Sequence, residues 1–122
     1  MKLFLLILIT HWIADFVLQT EWMAKNKSKN WGALLAHTGI YSLVWFAVLA
    51  FYEAENLIIA LYFAILTLIA HTVTDYFTSR INSKLWDQGK MHYFFVSIGF
   101  DQILHYIQLA ITYHYLYDSG WV

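Results

Sequence analysis

The sequence predicts an all-α protein, a four-helix transmembrane bundle built from two helical hairpins. Hydrophobic residues make up 61% of the 122 residues and charged residues only 12%, whereas a soluble domain is about a quarter charged. The apolar residues are gathered in segments long enough to cross the hydrocarbon core of a bilayer as helices, which needs about 20 residues each. The absence of proline leaves nothing to force a sharp kink in these segments.

The four predicted spans form one integral membrane domain over residues 1–122. A short connection with three lysines follows the first span, an acidic turn follows the second, and a longer basic connection follows the third. Within lipid, each backbone polar group must be satisfied inside its own segment, so we expect α-helices throughout. The expected spans are residues 3–22, 31–52, 57–78 and 92–117.

The distribution of lysine and arginine predicts the orientation. These residues concentrate in two connections, residues 23–30 and 79–91, and are almost absent from the termini. By the positive-inside rule both basic loops are cytoplasmic and both termini lie outside an inner membrane. Tryptophans near the predicted span ends are expected at the membrane interfaces: Trp22, Trp31, Trp86 and Trp121.

Three of the spans carry a histidine and an aspartate four positions apart, which puts the two side chains on one helix face. The third pair is written in reverse order, and its span also runs in the opposite direction. In all three helices the aspartate therefore lies one turn nearer the cytoplasm than the histidine. The pairs are His11/Asp15, His71/Asp75 and Asp101/His105.

These pairs predict a metal site together with His37 of the second span. Ionisable groups inside a membrane are costly and mark function by default. Imidazole and carboxylate are the ligands of zinc, manganese or iron. Four histidines and three aspartates exceed one tetrahedral site and suit two ions sharing a bridging group. A single pair is more often a hydrogen bond between helices, and some of the aspartates are alternatively orienting partners of ligand histidines. The predicted ligands are His11, Asp15, His37, His71, Asp75, Asp101 and His105.

Three further polar residues are candidates for supporting or substrate contacts. Gln19 follows Asp15 by one turn, where it either hydrogen-bonds to the site or caps its mouth. Arg80 and Lys84 are most simply determinants of topology, and the alternative is that they steer an anionic headgroup.

Two stretches resemble a family of small bacterial and phage membrane proteins that is catalogued as a domain of unknown function. They are HWIADFVLQTEWMAKNK and FDQILH, with the spacing from His37 to Tyr41 between them. The resemblance covers nearly the whole chain and adds Lys25 to the pattern formed by Gln19 and the predicted ligands. More loosely, the paired residues resemble those of membrane-bound metal-dependent hydrolases.

The leading hypothesis for function is a metal-dependent membrane hydrolase. Two ions would activate water against a phosphoryl or acyl centre, with Asp15, Asp75 or Asp101 as general base. The expected depth favours membrane lipid as partner and an amphipathic lipid substrate, and the net charge of −1 predicts no nucleic-acid partner. The alternatives are a metal-ion or proton transporter acting as a homo-oligomer, and an interaction protein stapled by its metal.

Overall fold

The computed structural model describes residues 1–54 and 56–118 of the chain. Glu55 of the acidic turn and Trp121 lie outside the described residues. The described residues form helices and no strand, so the predicted all-α class is confirmed. The helices are α1 (Lys2–Trp12, extended by the π-helical turn Ile13–Val17), α2 (Glu21–Asn26), α3 (Trp31–Tyr52), α4 (Leu57–Asp87) and α5 (Met91–Tyr113, extended by the π-helical turn His114–Asp118).

The residues of the first predicted span, 3–22, do not form one continuous helix in the structure. The helix widens into a π-turn in which the Leu18 amide donates to the Ile13 carbonyl at 2.9 Å, and it ends there. Thr20 is extended, and its hydroxyl accepts from the Met23 amide at 3.3 Å, which caps α2. Residues 2–17 span about 24 Å at 1.5 Å per residue.

The helix that carries the third predicted span, 57–78, extends beyond it. Asn56 caps α4 by accepting from the Ile59 amide at 3.2 Å, and the helix continues for 31 residues to Asp87. The chain turns away from α4 at Gly89, whose φ of 65° is most readily adopted by glycine. Most of the predicted basic loop 79–91 is therefore the last turns of α4, so Arg80 and Lys84 project from a helix.

Among the described residues, three helices are long and apolar enough to cross a membrane. They are Trp31–Tyr52, Leu57–Asp87 and Met91–Tyr117. The helical stretch that contains α1 is shorter than these three. The structure therefore provides three candidate spans where the sequence predicts four.

Helix α4 is the centre of the packing. It packs extensively against both α3 and α5, while α1 lies across α3 and α5. The packing of α4 against α5 matches the second expected hairpin, while α3 packs mainly against α4, so the division into two hairpins stays a prediction. Large apolar side chains cover the outside of the helices, while polar and charged ones lie inside, and such a distribution fits a lipid environment better than an aqueous one. One end of the interior is an apolar core around Tyr41, Trp45, Leu49, Phe63 and Leu109.

Candidate metal centre

The three His–Asp pairs and His37 meet at one place inside the bundle. Each pair occupies the inward face of its helix because the spacing of four residues is close to one helical turn. The histidines are at most 1% exposed, and the most exposed of the three aspartates is Asp101, at 8%. The sequence prediction that these residues converge agrees with their positions in the structure.

Four of them form what we call the four-residue group: Asp15, His37, His71 and Asp75. The Nε2 atom of His37 lies 3.1 Å from Asp15 Oδ1 and 3.2 Å from Asp75 Oδ2. It also lies 3.2 Å from His71 Nε2, which is 3.4 Å from Asp15 Oδ1. Tetrahedral coordination with bonds of about 2.0–2.1 Å places ligand atoms about 3.3 Å apart. Four of the separations therefore match the ligand spacing of a tetrahedral metal site, while His71 Nε2 lies 3.7 Å from Asp75 Oδ1, and the buried group could hold a metal ion.

A second set, the three-residue group, consists of Asp15, Asp101 and His105. His105 Nε2 lies 3.3 Å from Asp101 Oδ1 and 3.1 Å from Asp75 Oδ1. Asp15 thus belongs to both groups, and the Asp75 carboxylate contacts a histidine of each. Buried His/Asp groups in this arrangement can hold a metal ion.

The π-helical turn of α1 carries the shared residue Asp15. A π-turn inserts an extra residue into a helical turn, and such turns are frequent at functional sites.

Aromatic stacking also orients the site. The ring centroid of His71 lies 3.9 Å from that of Tyr41 and 4.2 Å from that of His105, and both pairs of rings are stacked.

His11 lies beside the groups and outside both of them, which differs from its predicted place among the ligands. Its Nε2 lies 2.7 Å from Gln102 Oε1, an acceptor, so this nitrogen carries the proton. Its Nδ1 lies 2.7 Å from the Tyr41 hydroxyl, which must then donate to it. Both nitrogens are therefore occupied by hydrogen bonds in this arrangement.

Gln102 is a site residue that the sequence analysis did not assign. Its amide nitrogen donates to Asp15 Oδ2 at 3.2 Å and to Asp101 Oδ2 at 3.1 Å. One side chain therefore orients two carboxylates and His11, as supporting residues of metal sites do. The available signal was its position between Asp101 and His105 in a segment with few polar residues.

Lys27 is the second unassigned site residue, since it is counted above only among the basic loop residues. Its ammonium donates to Asp75 Oδ2 at 2.7 Å and lies 3.5 Å from His37 Nε2. Burial by itself would lower the pKa of Lys27, but the carboxylates of Asp75 and Asp15 outweigh it, so this pKa is raised above its ordinary value. The short loop before α3 thus supplies a fixed positive charge. Helical periodicity could not predict this contact, because Lys27 lies outside the periodic segments.

A cavity of about 560 Å³ reaches the centre beside α2, α4 and α5. Asp15, Asp101 and Gln102 line its inner end, with Lys27 beside them. His37, His71 and Asp75 do not line it. The three-residue group therefore has access to the cavity, and most of the four-residue group is shielded from it.

The four predicted supporting residues lie at different distances from the centre. Gln19 and Lys25 line the cavity, although the side chain of Lys25 is 71% exposed and pairs with Glu21 at 3.4 Å. Arg80 and Lys84 line a separate surface pocket. The guanidinium of Arg80 covers the ring of Tyr76, 3.6 Å from its centroid. The structure therefore does not bring Arg80 and Lys84 to the buried groups.

Comparison with known proteins confirms the resemblance to a family of unknown function. A family described as "Protein of unknown function (DUF3307)" matches residues 3–121. No curated protein and no solved structure matches the chain. On the match over nearly its whole length, the chain belongs to the DUF3307 family.

Proposed function

We propose that this protein is a metal-dependent membrane hydrolase whose His/Asp centre holds two divalent ions and acts on a lipid-like phosphate or ester. The observation that carries the proposal is the ligand spacing of the four-residue group. A proton shared between His37 and His71 would account for their separation of 3.2 Å. It would not account for the two carboxylates at 3.1 and 3.2 Å from the same His37 nitrogen.

The two groups fit two different kinds of metal site. Structural zinc sites have four protein ligands, whereas catalytic sites keep a position open for water or substrate. The four-residue group offers four ligands, and the three-residue group offers three beside a cavity. Zinc matches the donor set and its geometry best, with manganese or iron as alternatives.

The chemistry of hydrolysis follows from that open position. A divalent ion lowers the pKa of bound water and supplies a nucleophile at neutral pH. Asp101 lies at the cavity wall, where its carboxylate can accept a proton from water or serve as a ligand. Gln102 fixes its orientation through the hydrogen bond at 3.1 Å.

We further propose that α1 crosses the membrane together with the three longer helices, as the fourth span. Its length of about 24 Å is short of the hydrocarbon thickness of about 30 Å, which local thinning of the bilayer can accommodate. The two basic connections then lie on one side, which the positive-inside rule makes cytoplasmic. Because Lys25 and Lys27 line the cavity, it would open toward the inner leaflet, and both termini would lie outside.

The apolar core supports hydrolysis over transport. Tyr41, Trp45 and Phe63, each at most 1% exposed, fill the bundle beyond the centre, so a continuous polar path would require these residues to move. The cavity supports hydrolysis over a purely structural role for the metal, because a metal that only holds the helices together needs no access for substrate.

The test is metal content and turnover of protein purified in a neutral detergent without chelators. We expect about two equivalents of a divalent metal, as dinuclear coordination requires, and release of phosphate or fatty acid from one member of a lipid panel. A His71→Ala/Asp75→Ala variant should lose metal and turnover together. His92→Ala removes an exposed histidine remote from the centre and should change neither.

Metal-free protein that takes up neither zinc, manganese nor iron would overturn the proposal. Metal-loaded protein that hydrolyses no lipid phosphate or ester would overturn the hydrolase and leave the metal. Metal content by mass spectrometry and turnover by product release therefore test the two parts separately.

A further inference from the structure

The ligand face of α4 continues beyond the metal centre into the cavity. Asp75 is followed on that face by Ser79, Asn82, Ser83 and Trp86, which are spaced by three and four residues. All four residues after Asp75 line the cavity. The extension of α4 to Asp87 therefore builds a polar wall that leads from the aspartate outward.

Two polar groups in this wall have no hydrogen-bond partner among the described residues. Ser79 is 8% exposed, and both its hydroxyl oxygen and the side-chain oxygen of Asn82 are buried and unpartnered. Buried polar atoms are nearly always hydrogen-bonded, so a set left open beside a cavity indicates a polar ligand. The Ser79 hydroxyl can donate to an anion, whereas the unpartnered Asn82 atom is the amide oxygen, which only accepts.

Basic and apolar side chains also line the cavity, alongside Asp15 and Asp101. Lys25 and Lys27 line it together with Phe16, Phe94 and Ile98. Its volume of about 560 Å³ falls within the range of about 300–1,000 Å³ that is typical of ligand pockets. The wall thus suits a molecule with an anionic head and an aliphatic chain.

The net charge of the metal centre indicates which kind of anion the cavity would bind. Asp15, Asp75 and Asp101 bring three negative charges, and Lys27 brings one positive charge among them. Two divalent ions whose bound water is still neutral would leave the centre, with neutral imidazoles, two positive charges in excess. A phosphate monoester carries about −1.5 to −2 at pH 7 and balances this excess, whereas a phosphodiester or a carboxylic ester does not.

We infer that the cavity binds the dianionic phosphate of a monoester carried on an aliphatic chain, with the Ser79 hydroxyl donating to a phosphate oxygen. This inference rests on the proposed function and names its substrate class. The phosphate would lie between the metal centre and the α4 wall, and the chain would lie along Phe94 and Ile98 toward the lipid.

The experiment measures binding of dodecylphosphonate, whose carbon–phosphorus bond hydrolysis does not cleave, to protein whose metal content has been determined. Phosphorus NMR or calorimetry in a neutral detergent gives the affinity. The comparison ligands are dodecylphosphonate monomethyl ester, which is a monoanion, and inorganic phosphate, which lacks the chain. We expect the dianion to bind at least about tenfold more tightly than either, because of its second charge and its chain.

Ser79→Ala removes the wall donor and Ser79→Ala/Asn82→Ala also removes the acceptor oxygen beside it, with little risk to folding because no described residue bonds to these two oxygens. Loss of the Ser79 donor should weaken binding about fivefold. The matched control is Ser97→Ala on α5, whose side chain lines a different pocket, and we expect it to bind like the parent.

If dodecylphosphonate monomethyl ester bound as tightly as dodecylphosphonate, the assignment of a dianion would be overturned. If inorganic phosphate bound as tightly, the assignment of an aliphatic chain would be overturned. An unchanged affinity in the Ser79 variants, or an equal loss in Ser97→Ala, would overturn the role of the wall. Failure of the proposed function appears separately, as protein without metal or without turnover. Metal-loaded protein that hydrolyses carboxylic esters and does not bind the phosphonate would overturn this inference alone.

Discussion

The two groups that share Asp15 differ in their surroundings. His37, His71 and Asp75 of the four-residue group are enclosed by packed helices, and none of them lines the cavity. In the three-residue group, Asp101 faces the cavity. The same residue types thus form a mostly enclosed set on α1, α3 and α4 and a set on α1 and α5 that reaches the cavity. Access to the cavity, rather than ligand chemistry, distinguishes the proposed structural ion from the proposed catalytic one.

The largest effect is expected from breaking the closed group with His37→Ala. This change removes the nitrogen that contacts three other ligands of the group, at 3.1 and 3.2 Å. We expect the variant to lose the tightly held ion. Loss of a supporting residue typically lowers activity about 10–100-fold, and we expect turnover to fall by more than this. Metal analysis after dialysis against a chelator checks this. If the variant retained both ions, the proposal that the four-residue group binds a metal ion would be contradicted.

Breaking the accessible group should affect turnover more than metal binding. Asp101→Asn keeps the shape of the side chain and removes its charge at the cavity wall. We expect turnover to fall about 10²–10⁴-fold, the range for loss of a general acid or base, while the ion of the four-residue group remains. Turnover and metal content measured on one sample check the split. Parent-like turnover would remove Asp101 from the chemistry.

Lys27→Met tests how the closed group is neutralised without metal. The change leaves Asp75 without its ammonium partner at 2.7 Å, and an unpaired buried charge is strongly destabilising. We expect the metal-free protein to lose about 2 kcal/mol, below the full cost of a buried pair because Lys27 is 18% exposed. The metal-loaded protein should lose less, since the ion supplies positive charge. Thermal unfolding in detergent with and without metal measures both.

The Lys27 contribution also has a defined pH dependence. Because the folded-state pKa of Lys27 is raised, its stabilisation is complete below the ordinary pKa of lysine and is lost as pH rises through the raised value. As pH rises, the free energies of unfolding of the parent and of Lys27→Met should therefore converge only in strongly alkaline solution. Lys25→Met is the matched control, since its side chain is 71% exposed. A loss equal to that of Lys27→Met would show a general charge effect.

The smallest effect is expected at the surface pocket, which lies apart from both groups. Lys84→Ala removes an exposed side chain and should change stability by no more than about 0.5 kcal/mol, with turnover close to that of the parent. Unfolding and product release measure both. A large loss of turnover would restore Lys84 to the predicted set of supporting residues and place substrate contacts at both pockets.

The local features of this chain follow from short stretches of sequence. Composition predicts helices rich in apolar residues, and spacing of four puts each His–Asp pair on one face. Asn30 caps α3 by accepting from the Ala33 amide at 3.1 Å, an interaction readable from the sequence around residue 30. The convergence of three pairs and His37 followed from counting turns along antiparallel helices.

What only the tertiary structure decided is where each polar group finds its partner. The π-turn that carries Asp15 and the extension of α4 to Asp87 both depart from the expected spans. His11 finds Tyr41 and Gln102, and Lys27 reaches Asp75 across 48 positions of the chain. Periodicity determines which face of a helix is polar, because that depends on residues within a turn or two. Partners depend on how helices distant in sequence pack, and no local pattern encodes that packing.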